Sequence, residues 1–234
     1  MNRIKIAVLV SGGGTNLQAL IDAERAGKIP HGKISLVIAS KPGVFALERA
    51  SKAGISSVVI ERKNFSDRAF FEAELIKTLK ENGIDMIVLA GFMLVLSADV
   101  IKHFPNRIIN VHPALIPSFC GDGFYGLHVH EAALNYGVKV TGATVHYVNE
   151  VTDGGKIILQ KAVDVLEGDT PEILQKRVME QAEWIILPKA AEIVAEKIFS
   201  EKSKPGKKIP DEIDDFGAGD NDKISLKKIF THKD

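Results

Sequence analysis

Apolar runs at residues 4–10 and 86–90, with further strands expected over 34–39 and 57–60, alternate with stretches whose apolar positions recur at helical spacing. A strand that is apolar at nearly every position cannot leave one face in water. It belongs in a parallel sheet covered on both faces. Parallel neighbours need crossover connections, and the intervening helical stretches supply them. The expectation is an α/β chain with a mostly parallel central sheet and flanking helices.

The first crossover is the most informative. SGGGTN follows the first run, then Leu17, Leu20 and Ile21 recur at helical spacing until Gly27 stops the helix. Helices are expected next over 44–53, closed by Gly54, and from Ser66 to about Gly83, with Phe70, Phe71, Leu75, Ile76 and Leu79 on one face. An irregular FMLVL, a short helix around 99–104 and a further strand through Asn110 and His112 follow. Residues 118–126, SFCGDGFYG, read as a glycine-rich loop and 129–136 as a helix. Strands at 141–148 and 156–165 flank NEVTDGG, whose ending is a turn signal. Pro171 opens a helical stretch to about Phe199, which Pro188 is expected to kink or interrupt. The domain is therefore placed at 1–199, with 200–234 as a charged C-terminal tail or small appendage.

Thirty basic and 30 acidic residues cancel, so bulk charge calls for neither nucleic acid nor an anionic membrane. The partner class that remains is a small molecule. A lone cysteine, Cys120, forms no internal disulfide and fits a reducing cytoplasmic location. The apolar start is too short for a membrane span and lacks a signal-type cleavage site.

In RIINVHPALIP, Asn110 and His112 stand two apart, so an extended chain presents both to one face, and Pro113 favours extended angles at His112. Open α/β sheets place ligands at such strand ends. The bland alternative is a strand ending in a turn. SGGGTN places backbone amides at a helix N-terminus, where they attract a phosphate. It lacks the third glycine and the acidic residue of a dinucleotide fingerprint, and the Lys-Ser/Thr pair of a triphosphate loop. A single phosphate is the ligand it suits, with an unliganded tight turn as the alternative. Asp153, before two glycines, by itself reads as a turn stabiliser. His128 and His130 read as surface residues at a helix start, and His146 as a core or supporting histidine. No metal-ligand spacing accompanies them, so no metal is expected. Cys120 reads as an incidental thiol and Trp184 as core.

Together SGGGTNLQAL, IVLAGFM, INVHPALIPSF and the DGG at 153–155 resemble the phosphoribosylglycinamide formyltransferases, the folate-dependent GAR transformylase family, over about residues 4–199. The resemblance implies a Rossmann-like formyltransferase fold and transfer of a formyl group from 10-formyltetrahydrofolate, as co-substrate, to the amine of glycinamide ribonucleotide (GAR) in purine biosynthesis. It implies Asn110, His112 and Asp153 as catalytic residues. The GAR phosphate and ribose would meet Gly13, Gly14, Thr15, Asn16 and Glu183. The folate would meet Arg68, Met93, Leu94, Val95, Leu96, Asn110, Asn149 and Asp153. Those residue types suit the chemistry, since attack on a formyl carbon creates an oxyanion needing donors and releases a proton needing a base. Many members carry arginine at the position of Leu94, and histidine and tyrosine at those of Trp184 and Leu187, which puts side-chain contributions there in question.

Other readings use the same residues. A formyltetrahydrofolate hydrolase would direct water at the same carbon, but is expected to carry an N-terminal regulatory domain for which a first strand at Ile4 leaves no room. A non-catalytic folate- or mononucleotide-binding module would bind without turnover. Formyltransferases of transfer RNA and sugar nucleotides share the Asn, His and Asp pattern, but are expected to have a further C-terminal domain and to lack this phosphate loop. A homodimer stays open.

Overall fold

A computed structural model describes residues 2–203. Its centre is a seven-stranded sheet in the order β3-β2-β1-β4-β5-β6-β7. The strands are β1 Ile4–Val10, β2 Gly32–Ala39, β3 Ser56–Val59, β4 Met86–Leu89, β5 Ile108–His112, β6 Val140–Tyr147 and β7 Ile157–Asp164. The first five are parallel, and β6 and β7 are antiparallel to their neighbours. The expected mostly parallel α/β sheet is the one observed.

Both faces of β1 are covered, as its uninterrupted apolar run requires. Ile4, Ile6, Val8 and Val10 pack on one side with α1 (Thr15–Arg25), α2 (Phe45–Ala53), α6 (Pro171–Val178) and α7 (Trp184–Ser203). Ala7 and Leu9 pack on the other with α3 (Arg68–Glu81) and α4 (Ala98–His103). Burial of Leu75 and Leu79 from α3 contributes about 1.5 to 3 kcal/mol each. The Asp67 carboxylate starts α3 by accepting from the Phe70 amide at 3.0 Å, and Pro171 begins α6 beneath a Thr170 cap. Helix α5 covers Leu127–Tyr136.

The helical stretch after Pro171 departs from expectation. It runs without a break through Pro188, and its interruption is a π-helical turn at Met179–Glu183, before α7. Pro188 lacks the amide that would bond to Trp184, and its ring crowds that carbonyl, so the irregularity falls one turn toward the N-terminus. Helix α7 continues to Ser203, past the expected boundary at 199. The remainder of the expected tail lies outside the described residues. Among the described residues, no helix is long and apolar enough to cross a membrane.

Candidate active site

The chain order β2-β1-β4 reverses direction at β1, and the crevice there lies beyond the carboxyl ends of β1 and β4. On the β1 side, Gly14 caps α1 in a left-handed conformation with φ 71° and no side-chain cap. A Cβ there would sit 2.7 Å from Cβ of Ala46, so α1 and α2 approach closely only because the residue is glycine. The first amides of α1 have no intrahelical partner, and no acidic residue occupies its first turn. Arg49, which the sequence reading did not single out, donates from Nε to the Gly13 carbonyl at 2.9 Å and holds a cation beside the loop.

On β5, Asn110 and His112 share a face, as the spacing predicts. Register supplies a third member, because His146 on β6 lies directly opposite Asn110. Its Nε2 is 3.2 Å from the Asn110 Nδ2, and its Nδ1 is 2.8 Å from the Tyr147 carbonyl. The connection from β6 to β7 then folds back along β5. Asp153 sits in it at φ 55°, a left-handed conformation that aspartate tolerates. Gly155 is required there, since a Cβ would lie 1.7 Å from the Tyr147 carbonyl oxygen. The Asp153 carboxylate thereby reaches β5, β6 and the glycine-rich loop: Oδ1 is 3.4 Å from Asn110 Nδ2 and 3.5 Å from His146 Nε2, Oδ2 is 3.5 Å from His112 Nδ1, and Oδ2 accepts from the Gly121 amide at 3.0 Å. His112 donates its Nε2 hydrogen to the Phe119 carbonyl at 2.7 Å.

Burial would raise the Asp153 carboxyl, but the imidazoles of His146 and His112 and the Gly121 amide bring it below its usual value. Burial lowers His112, and this outweighs the opposing pull of Asp153 and the Phe119 carbonyl. The carboxylate is thus held ionised beside an imidazole that loses a proton readily.

These groups form the floor of a cleft of about 670 Å³. Met93, Leu94, Val95, Leu96 and Asn149 line one side, and Asn16, Gln175, Met179 and Glu183 the other. Asn16 donates from Nδ2 to Glu183 Oε2 at 2.6 Å, while its Oδ1 is buried without a partner. Burial raises the Glu183 carboxyl against the lowering effect of that hydrogen bond. Arg68 does not line the cleft. Its guanidinium bonds Glu72 at 2.9 Å and the Val95 carbonyl at 2.7 Å, bracing the wall from behind. Thr15 borders a separate groove with Arg49 and Trp184.

Among the histidines, His128 is exposed as expected, but His130 is not a surface residue. It is fully buried on α5 with Val129 and Ala133, neither ring nitrogen has a partner, and burial together with nearby His112 lowers it to about 4. The pairing of Val129 with Ala133 four residues later marks the buried face and was the available signal for it. Among the described residues no group of three His, Cys, Asp or Glu side chains could hold a metal ion.

Residues 4–191 match the formyl transferase family model. The chain belongs to the formyl transferase family. Among related proteins of this family, it is 41% identical over 184 residues to the phosphoribosylglycinamide formyltransferase of Haemophilus influenzae, covering 79% of this chain and 84% of that one. It is 46% identical over 183 residues to the trifunctional purine biosynthetic protein adenosine-3 of Drosophila melanogaster, covering 78% of this chain but only 13% of that protein. A crystal structure of glycinamide ribonucleotide transformylase 1 from Symbiobacterium toebii superposes with a TM-score of 0.78 at 42% identity, covering 83% of this chain and 89% of that one. The formyl transferase fold expected from the sequence is therefore the fold observed.

Proposed function

We propose that the chain transfers a formyl group from 10-formyltetrahydrofolate to the primary amine of GAR in purine biosynthesis. The observation that carries this reading is the convergence of Asn110, His112 and Asp153, through contacts of 3.4 and 3.5 Å, on the floor of a cleft that also admits Asn16 and Glu183. The names of the relatives agree with it.

The amine of GAR attacks the formyl carbon, a new C–N bond forms, and the former carbonyl oxygen carries negative charge. Asn110 offers that oxygen the amide hydrogen now spent on a long 3.4 Å contact to Asp153, a bond weak enough to exchange. His112 offers its Nε2 hydrogen once the oxyanion replaces the Phe119 carbonyl as acceptor. Asp153 accepts, directly or through water, the proton the amine must lose, and its lowered carboxyl is ionised for that purpose. Collapse breaks the bond to N10 of the folate, which takes up a proton, leaving formylated ribonucleotide and tetrahydrofolate. The phosphate lies on the amides of Gly13, Gly14, Thr15 and Asn16. Glu183 meets the ribose and amine, and the folate lies along Met93–Leu96, Asn149 and Asp153. Arg68 sits half exposed behind Val95, with Nη1 unspent for the folate's carboxylate end.

The test is consumption of 10-formyltetrahydrofolate by the purified chain with and without GAR. Turnover that needs GAR and yields its formylated product by mass is the expected result. Equal turnover without GAR would establish a hydrolase, and binding without turnover a binding module.

A further inference from the structure

We propose that Ser11 is a positioning residue that couples occupancy of the glycine loop to the conformation of the main chain at 91–96. The proposal rests on the functional reading only for the identity of the two ligands. Ser11 closes β1 immediately before Gly12, and it grips the segment after β4 twice. Its amide donates to the Gly91 carbonyl at 3.1 Å, and its Oγ accepts from the Met93 amide at 3.0 Å. The Ser40 hydroxyl, at the end of β2, donates to the same Oγ at 2.7 Å. Both serines are buried. One hydroxyl therefore joins the carboxyl ends of three adjacent strands at the point where the strand order reverses.

The segment it holds packs Leu96 into the core with Phe92 and Leu94 against it, but few other hydrogen bonds fix its main chain. Residues 91–97 are neither helix nor strand. Beyond Ser11, this wall is tied by Arg68 to the Val95 carbonyl and by the Glu72 carboxylate to the Ser97 amide at 3.0 Å. Met93 itself is 54% exposed to the cleft. The Ser11 clamp sets where the wall begins, and it is one peptide away from the loop proposed to hold the phosphate. An anion that draws the amides of Gly13 and Gly14 together shifts Ser11, and a shift of Ser11 is felt at Met93. By linkage, a folate that orders Met93 favours the loop geometry that binds phosphate by the same factor.

The experiment is amide hydrogen exchange by NMR on the full chain, with ribose 5-phosphate as a probe of the loop. In the wild type, saturating probe should slow exchange at Met93 by about fivefold or more, the lower end of ordinary coupling between sites. In Ser11→Ala, Met93 should exchange faster without the probe and show no response to it. Ser11→Thr, which keeps the hydroxyl, should restore the response, and Ser40→Ala should retain it because the Met93 bond remains. Equal slowing in Ser11→Ala would overturn the proposal, as would an unresponsive Met93 in a wild type whose Gly13 and Gly14 signals show the probe bound. Failure of the probe to bind would overturn it together with the phosphate site. If coupling is seen while GAR-dependent turnover is absent, the substrate assignment fails and the role of Ser11 stands.

Discussion

Nδ1 of His112 stands 3.5 Å from Oδ2 of Asp153, and the glycine-rich loop, α5 and β6 separate the two residues along the chain. Removing either side of this contact should impair turnover. His112→Ala should cut turnover by roughly a hundredfold to ten-thousandfold, the range for a lost acid, base or oxyanion donor, while tetrahydrofolate binds within a few-fold of wild type. Binding measured by calorimetry that falls in parallel with turnover would show that His112 serves the ground state instead.

Asp153→Asn should reduce turnover by a similar factor with the fold intact, because the amide keeps the size of the side chain and can still accept from the Gly121 amide. Circular dichroism and the rate of formyl transfer, read together, check this. Wild-type activity in a folded variant would remove Asp153 from proton transfer.

Glu183→Gln should raise the KM for GAR about tenfold, the effect of one lost charged contact, and leave the KM for folate nearly unchanged. The carboxyl is held above its usual value by burial, so the folded state binds its proton more tightly than the unfolded one. That contribution is present at low pH and is lost as pH rises above about 4.5. The neutral variant escapes the loss, and thermal melts at pH 8 should find it at least as stable as the wild type.

His130 runs the other way. Its folded value is lowered to about 4 from 6.5, so its contribution to stability is complete above 6.5 and is lost as pH falls toward 4. The loss is on the order of 3 kcal/mol at its fullest. Melting temperatures at pH 7 and pH 5 should differ by several degrees in the wild type and by clearly less in His130→Leu, which removes two unpartnered nitrogens. A residual slope is expected from His112, which is also lowered by burial. An unchanged slope in the variant would mean that His130 is protonated without penalty.

Two neighbouring glycines should separate stability from binding. Gly14→Ala forces a left-handed residue and a Cβ 2.7 Å from Ala46, and should destabilise by about 1 to 3 kcal/mol in urea titration. Gly13→Ala meets nothing within 4 Å in the protein, so it should melt like the wild type but bind GAR more weakly if its methyl group enters the space proposed for the phosphate. Unchanged GAR affinity in Gly13→Ala would move the phosphate elsewhere.

The sheet was legible because its physics is local. Continuous apolar runs mark strands covered on both faces, and glycine stops mark the helices between them. Asn110 and His112 could be paired from their spacing alone, since alternation along a strand needs no tertiary information. His146 could not, because its place opposite Asn110 depends on which residues of β5 and β6 align, and these strands are joined through a loop and α5 rather than a short turn. Asp153 read by itself as a turn residue, and it is one. Its carboxylate reaches β5 only because Gly155 allows the connection to press against Tyr147. Pro188 signalled an irregular helix but not its position, since the strain it creates is taken up in the preceding turn.

The placement of Asp153 between the last two strands has a consequence for the growing polypeptide. The amide and imidazole on β5 are synthesised first, and the carboxylate is positioned only when β6 and β7 have paired around the connection that bears it. A partly made or truncated chain would therefore hold Asn110 and His112 without Asp153 beside them. Under the proposed roles, competence for catalysis would coincide with completion of the sheet.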